Sequence, residues 1–256
     1  MIDPRAVISP QAKLAADVSV GPFTVIGADV EIGEGTWIGP HAVINGPTRI
    51  GKHNKIFQFA SLGDAPQDKK YNGEPTRLEI GDRNVFRESV TVNRGTTHDQ
   101  GVTRIGDDNL LMAYSHVAHD CQLGNKIVMS NLATLGGHVE LGDWVIMGGL
   151  SAVHQYSKIG EHCFLANNAA VTRDLPPYVM AVGQPAEPHS VNSEGLKRRG
   201  FTPEQILNIR RAYKILYRSG LKLQAAIEQL RKISETQPEI RPFVEFIHRS
   251  TRSLVR

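Results

Sequence analysis

Aliphatic side chains recur along the first two thirds of this chain at every sixth position: Ile8, Leu14, Val20, Ile26, Ile32, Ile38, Ile44, Ile50, Ile56 and Leu62. The same phase returns at Ile80, Phe86 and Val92. A longer run follows from Ile105 through Leu111, Val117, Leu123, Met129, Leu135, Leu141, Met147, Val153, Ile159 and Leu165 to Val171. Neither a 3.6-residue helix nor a simple alternating strand produces strict sixes. A parallel β-helix does, because each flat side is a short strand, each corner is a turn, and the aliphatic residue points inward onto its counterpart one coil away. Glycine directly follows many of the aliphatic positions (Gly21, Gly27, Gly33, Gly39, Gly51, Gly63). That suits a corner where a side chain would crowd or φ must be positive. Three sides of six residues make an 18-residue coil, and the lattice predicts about eight coils. A single coil cannot bury its own apolar side, so the stack is cooperative and needs capped ends.

Two segments break the lattice. Residues 63–79 (GDAPQDKKYNGEPTRLE) separate Leu62 from Ile80, so one coil's worth of chain is expected to bulge out as a polar loop. Residues 93–104 (NRGTTHDQGVTR) contain a seven-residue step that shifts the phase. Long loops in a strict solenoid tend to carry function. After Val171 a proline-rich bridge leads to a helical period. Thr202-Pro-Glu-Gln205 reads as a capped helix start with proline at the first helical position. Ile206, Ile209, Tyr213, Leu216 and Tyr217 then lie on one face, and Gly220 ends that helix. Leu223, Ala226, Ile227, Leu230 and Ile233 form a second amphipathic helix, and Phe243, Phe246 and Ile247 suggest a third. The expected fold is mainly β: a parallel β-helix over residues 1–190 and a small α-helical domain over 191–256.

Composition narrows the class. The 256 residues are 40% apolar and 21% charged, as in a soluble globular protein. No apolar run reaches the ~20 residues of a membrane span. The N-terminus lacks the charged and apolar segments of a secretory signal, so a cytoplasmic protein without stable membrane insertion is expected. The net charge of +3 is unevenly spread. From Ser193 onward there are 14 Lys/Arg against 6 Asp/Glu, a basic tail on a mildly acidic body that suits either an anionic partner or an ordinary solvated surface. No nucleic-acid, P-loop or dinucleotide motif is present. Cys121 and Cys163 match no metal spacing and read as core thiols.

The lattice also says which histidines are neighbours. Positions 18 apart stack on adjacent coils, so Asp120 falls in register with His138. His119 and His154 lie within two residues of that edge, and His116 lies one side earlier. Four histidines and a carboxylate are therefore expected at one corner. Three readings stay open on the residues alone. One is general-base catalysis by an imidazole oriented by a carboxylate. The second is a zinc site like that of the γ-class carbonic anhydrases. The third is a set of polar groups that merely hydrogen-bond.

Several segments resemble the UDP-N-acetylglucosamine acyltransferase family: Gly73-Glu-Pro-Thr-Arg77, Asp107-Asp-Asn-Leu-Leu-Met112, His116-Val-Ala-His-Asp120, Gly137-His138, Val153-His-Gln155, Asp174-Leu-Pro-Pro-Tyr178, Gly195-Leu-Lys-Arg-Arg-Gly-Phe201 and Ser250-Thr-Arg252. The resemblance runs nearly end to end. It implies a left-handed helix, a homotrimer with active sites between subunits, and transfer of a (3R)-3-hydroxyacyl group from acyl carrier protein to the 3-hydroxyl of UDP-N-acetylglucosamine, the first step of lipid A biosynthesis. It further implies His119 as general base, Asp120 as its partner and the Gly137 N–H as oxyanion donor, with no cofactor and no metal. Asp68, Lys70, His116, His138, His154, Gln155, Asn192, Glu194, Arg198 and Arg199 are implied to bind substrate. Asn167 falls where the family sets acyl-chain length, glycine there accompanying longer chains. Asn93 departs from the family, many members of which have histidine at that position. A 3-amino sugar nucleotide as acceptor stays open.

Overall fold

A computed structural model describes residues 1–255. The chain winds as a left-handed parallel β-helix with three faces. The first face stacks nine short strands from Val7–Ile8 to Ala170–Val171, and the second stacks eight from Lys13–Leu14 to Lys158–Ile159. The third runs from Ser19–Val20 to Phe164–Leu165 and is completed by Val179–Val182 and the antiparallel strand Glu187–Val191. Ile26 pairs with Ile44, and Val117 with Leu135, as the 18-residue repeat requires.

The lattice residues form the core: Ile26, Ile44, Leu62, Val117 and Leu135 are all buried. A second inward position lies two residues before many of them and is filled by aliphatic side chains such as Val18, Leu78 and Ile127 or by buried polar ones such as Thr24 and Asn54. At Asn54, Asn84 and Asn109 the carboxamides form a ladder. The Asn84 N–H donates to Asn54 Oδ1 and the Asn109 N–H to Asn84 Oδ1, both at 2.9 Å. Each amide is thereby satisfied inside the apolar stack.

Most corners are turns with one residue in the left-handed region three positions after the aliphatic residue, for example Phe23, Asp120 and His138. These are mostly not glycines. The glycine at the head of the turn answers to crowding instead: a Cβ on Gly21 would lie 2.7 Å from the carbonyl carbon of Gly39 on the next coil. Left-handed corners aim their side chains outward in columns, and the site is built on one such column.

The two loops leave from the same corner, between the first and second faces, on successive coils. Strand Ser61–Asp64 lies on the first face and Arg77–Ile80 on the second. The excursion 65–76 therefore replaces one corner, not one coil, which corrects the expectation from spacing alone. The excursion 94–101 does the same between Thr91–Asn93 and Val102–Ile105. Arg94 pins the first loop, donating to the carbonyls of Gly46 and Gly63 and to the Tyr71 hydroxyl. Asn93 Nδ2 donates to the Ala65 carbonyl at 2.9 Å, so it holds the base of that loop.

Beyond the stack come α1 (Ser193–Arg198), α2 (Pro203–Arg218), α3 (Leu223–Ser234) and α4 (Arg241–Arg249). The start of α2 has a reciprocal cap: the Gln205 N–H donates to Thr202 Oγ1 and the Thr202 N–H to Gln205 Oε1. Ile209, Tyr213, Leu216, Leu230 and Phe243 bury the inner faces. No helix among the described residues is long and apolar enough to cross a membrane.

Candidate active site

The corner between the first and second faces carries Asp120, His138 and Tyr156 in one column, each in the left-handed region and 18 residues from the next. His119 and Gln155 sit beside them. Gln67, Asp68, Lys69 and Lys70 of the first loop face them across a cleft of about 440 Å³. The fold thus gathers Asp68, Lys70, His119, His138 and Gln155 at one place.

His119 Nδ1 lies 2.9 Å from Asp120 Oδ2. An ionised carboxylate only accepts, so the ring donates through Nδ1 and keeps its lone pair on Nε2. Asp120 has no exposed side-chain surface. It accepts from the Thr96 N–H at 2.9 Å and from Thr96 Oγ1 at 2.7 Å, while its own N–H donates to Thr103 Oγ1. Burial pushes the Asp120 carboxyl up, but the hydrogen bonds from His119 and Thr96 outweigh it and hold the group below the ordinary carboxylate range. The pair is therefore an anion and an oriented imidazole. His138 meets the His119 ring edge-on at 5.0 Å and stacks on Tyr156 at 4.2 Å. Its Nδ1 donates to Asp99 Oδ2 at 2.8 Å.

Gly137 packs directly on the catalytic candidate. A Cβ there would stand 2.5 Å from His119 Cε1 and 2.7 Å from Nε2. Among the described residues, nothing accepts a hydrogen bond from the Gly137 N–H.

The convergence of four histidines is only half realised. His116 lies on the first face, its Nδ1 paired with Thr91 Oγ1 at 2.7 Å, and burial, then the charge of His119, pushes its pKa down. His154 stands one coil beyond His138, with its ring turned to Arg252. Asn192, Glu194, Arg198 and Arg199 are elsewhere, by α1 at the corner between the second and third faces. Asn192 is buried, caps α1 by accepting from the Gly195 N–H, and donates to the His162 carbonyl. Glu194 and Arg198 are exposed. Arg199 donates to His162 Nδ1 at 3.0 Å and lies over the Trp144 ring. Asn167 is on the third edge, where its Oδ1 accepts from the Gly149 N–H. One chain alone does not assemble these three groups.

Thr96, Asp99, Thr103 and Tyr156 were not singled out from sequence. Tyr156 is in register with Asp120 and was reachable by the 18-residue rule. Thr96 and Asp99 come from the loop that breaks the register. Cys121 is buried, its Sγ donates to the Gly136 carbonyl, and burial pushes the thiol up to about 12, so it is not a nucleophile.

His119, Asp120 and His138 also place donor atoms within 4.8 Å of one another and could hold a metal ion. His119 Nδ1 and Asp120 Oδ2 are already committed to each other and to Thr96, so a cation held through those two atoms would have to displace those bonds.

The Arg199 contact bears on stability. Burial, with the guanidinium alongside, pushes the His162 imidazole down from 6.5 to about 4. The folded protein refuses a proton that the unfolded chain takes up below pH 6.5. Stability should therefore be complete above that pH and fall as pH drops towards 4, by about 3 kcal/mol from this residue. Urea titrations across this range should show the decline flattened by that amount in His162→Gln. An unchanged pH dependence would refute the assignment.

Residues 29–56 match the family model described as bacterial transferase hexapeptide (six repeats). The fold and site define a hexapeptide-repeat acyltransferase. Residues 174–255 match the model described as UDP-N-acetylglucosamine O-acyltransferase, domain 2. The chain is 56% identical over 260 residues to a protein of Janthinobacterium sp. (strain Marseille) named acyl-[acyl-carrier-protein]–UDP-N-acetylglucosamine O-acyltransferase, covering 100% of this chain and 99% of that one. A Thiobacillus denitrificans protein of the same name is also 56% identical over the same shares. The solved UDP-N-acetylglucosamine acyltransferase of Francisella novicida superposes with a TM-score of 0.98 at 42% identity, covering 100% of this chain and 94% of that one. The Acinetobacter baumannii structure gives 0.97 at 43%, covering 100% and 99%. The chain belongs to the UDP-N-acetylglucosamine O-acyltransferase family.

Proposed function

We propose that this protein transfers a (3R)-3-hydroxyacyl group from acyl carrier protein to the 3-hydroxyl of UDP-N-acetylglucosamine in the cytoplasm, the first step of lipid A biosynthesis. The observation that carries the mechanism is the His119–Asp120 pair, with an oriented lone pair on Nε2 at the edge of a cleft. His119 takes the hydroxyl proton, and the oxygen attacks the thioester carbonyl. The tetrahedral oxyanion takes a hydrogen bond from the Gly137 N–H, which has no other duty. Collapse breaks the C–S bond, and the imidazolium returns the proton to the departing thiolate. Atoms balance without a cofactor or an acyl-enzyme. Asp68, Lys70, His138 and Gln155 contact the sugar from the cleft walls, with His116 and His154 flanking them.

The working unit is a homotrimer with sites between subunits. Two faces support this. Outward positions of the first face (Val7, Val25, Val43, Ser61, Thr91, His116, Thr134, Ala152, Ala170) contain no Lys, Arg, Asp or Glu. Those of the third are mostly apolar. The second face alternates Lys13, Glu31, Arg49, Glu79 and Arg104, which suits water. Along the edge joining the first and third faces, Phe23, Phe59, Tyr114, Leu132 and Leu150 are exposed in one column. Packing the third face of one copy on the first face of the next is a heterologous contact that closes as a ring. It brings Arg198 and Arg199 from one chain to supply donors for the nucleotide beside His119 of another, since a guanidinium fork fits phosphate oxygens. Asn167, on the same covered edge, limits the acyl chain.

The test is one assay of the purified protein with UDP-N-acetylglucosamine and 3-hydroxyacyl-carrier proteins of graded length. A 3-O-acyl product is expected, with Asn167→Gly shifting preference toward longer donors. No product, product only with a 3-amino sugar nucleotide, or stoichiometric zinc whose removal abolishes turnover would overturn the reading. Equal or faster turnover of the longest donors by the parent protein would remove the role of Asn167.

A further inference from the structure

After α4 the chain does not simply end on the helical domain. Residues 250–255 run back to the last turn of the β-helix, where Asp174 holds them. The Asp174 side chain is buried and accepts from the Lys158 N–H, Ser250 Oγ and the Arg252 N–H. Its backbone bridges to Leu254, and the Val255 N–H donates to its carbonyl at 2.8 Å. Leu254 and Val255 are themselves buried. A buried carboxylate with several donors is a firm anchor.

Between these anchors the Arg252 side chain reaches the catalytic edge. Its Nη1 lies 3.1 Å from His154 Nδ1 and 2.5 Å from the Gln155 carbonyl oxygen. A guanidinium donates and never accepts, so His154 Nδ1 is the acceptor, and the neutral ring carries its proton on Nε2. The Gln155 oxygen also lies 3.1 Å from His154 Nδ1, but in this tautomer it takes its hydrogen bond from Arg252. Among the described residues Nε2 has no partner. Gln155, whose main chain is fixed by the same guanidinium, lines the cleft beside His119 and His138.

We propose that Arg252 is a positioning residue for acyl transfer: the C-terminal tail straps its guanidinium onto His154 and Gln155, holding His154 as an Nε2–H donor and the Gln155 side chain at the cleft wall for an oxygen-rich substrate. This rests on the reading of His154 and Gln155 as substrate-binding. The sugar nucleotide meets a preset donor instead of a ring free to choose its tautomer. Both contacts come from the one nitrogen Nη1, each through its own N–H.

The test pairs two measurements on the full-length protein. In the first, ¹⁵N-histidine spectra report the His154 tautomer, with the signal assigned by its loss in His154→Gln. The parent should show Nε2–H, and Arg252→Gln a mixture. In the second, kcat/KM for UDP-N-acetylglucosamine should fall about 10- to 100-fold in Arg252→Gln, with the melting temperature kept, because a displaced contact costs on that scale. The double variant Arg252→Gln/His154→Gln should be no slower than His154→Gln alone, the mark of residues acting as one unit. An unchanged tautomer, or additive losses in the double variant, would overturn the proposal. A tautomer shift in a parent protein that does not acylate UDP-N-acetylglucosamine would instead overturn the reaction, and with it any role of Arg252 in it.

Discussion

Replacing His119 with alanine is expected to lower kcat/KM for acyl transfer by about 10²- to 10⁴-fold, the range for loss of a positioned general base. The protein should remain folded, because His119 is a corner side chain outside the apolar stack. Its neighbours tell why the effect should be kinetic. Nδ1 is spent on Asp120, whose other acceptor capacity is filled by Thr96. This holds one tautomer and leaves Nε2 as the only basic atom of the ring. Asp120 keeps its charge because those hydrogen bonds outweigh its burial. Steady-state rates with matched melting curves check the expectation. Transfer retained in the alanine variant would place the base elsewhere, and a collapsed melting temperature would make His119 structural.

Gly137→Ala should be nearly as damaging by a different route. The added methyl would stand 2.5 Å from His119 Cε1 and 2.7 Å from Nε2, closer than side-chain carbons approach other atoms. The ring must swing off the Asp120 carboxylate, or the corner must open and move the Gly137 N–H. Either response uncouples the base from the oxyanion donor. Losing a fixed oxyanion donor alone costs about 10²- to 10³-fold in kcat. A fall in kcat with little change in KM for the sugar nucleotide is expected, since the methyl points at the reacting atoms. A change confined to KM would make Gly137 part of the binding surface only.

The stack, its helical appendage and the pairing of Asp120 with His138 were legible in the sequence because periodicity is a local property of the chain. Each coil repeats the same inward demand, so position modulo 18 gives spatial neighbours. The rule found its limits where the repeat breaks. It misjudged the excursion after Leu62 as a full coil because spacing does not say which face the chain rejoins. It could not place Thr96 and Asp99, whose loop follows hydrogen bonds to Asp120 and His138 and not a period. His154 was correctly put near the edge, but its partner Arg252 lies 98 residues away, at the far end of the chain. Arg198, Arg199 and Asn167 were named through family resemblance, and their separation onto two other edges of the prism becomes visible only with the coils in three dimensions.

The central claim is that His119 Nε2 meets the acceptor hydroxyl. A crystal structure of the trimer with UDP-N-acetylglucosamine bound tests it most directly. The sugar 3-hydroxyl oxygen should lie about 2.6–3.2 Å from His119 Nε2, with Arg198 and Arg199 of an adjoining chain at the nucleotide end. A sugar bound with that hydroxyl beyond reach of His119, or a metal ion seated between His119 and His138, would contradict it.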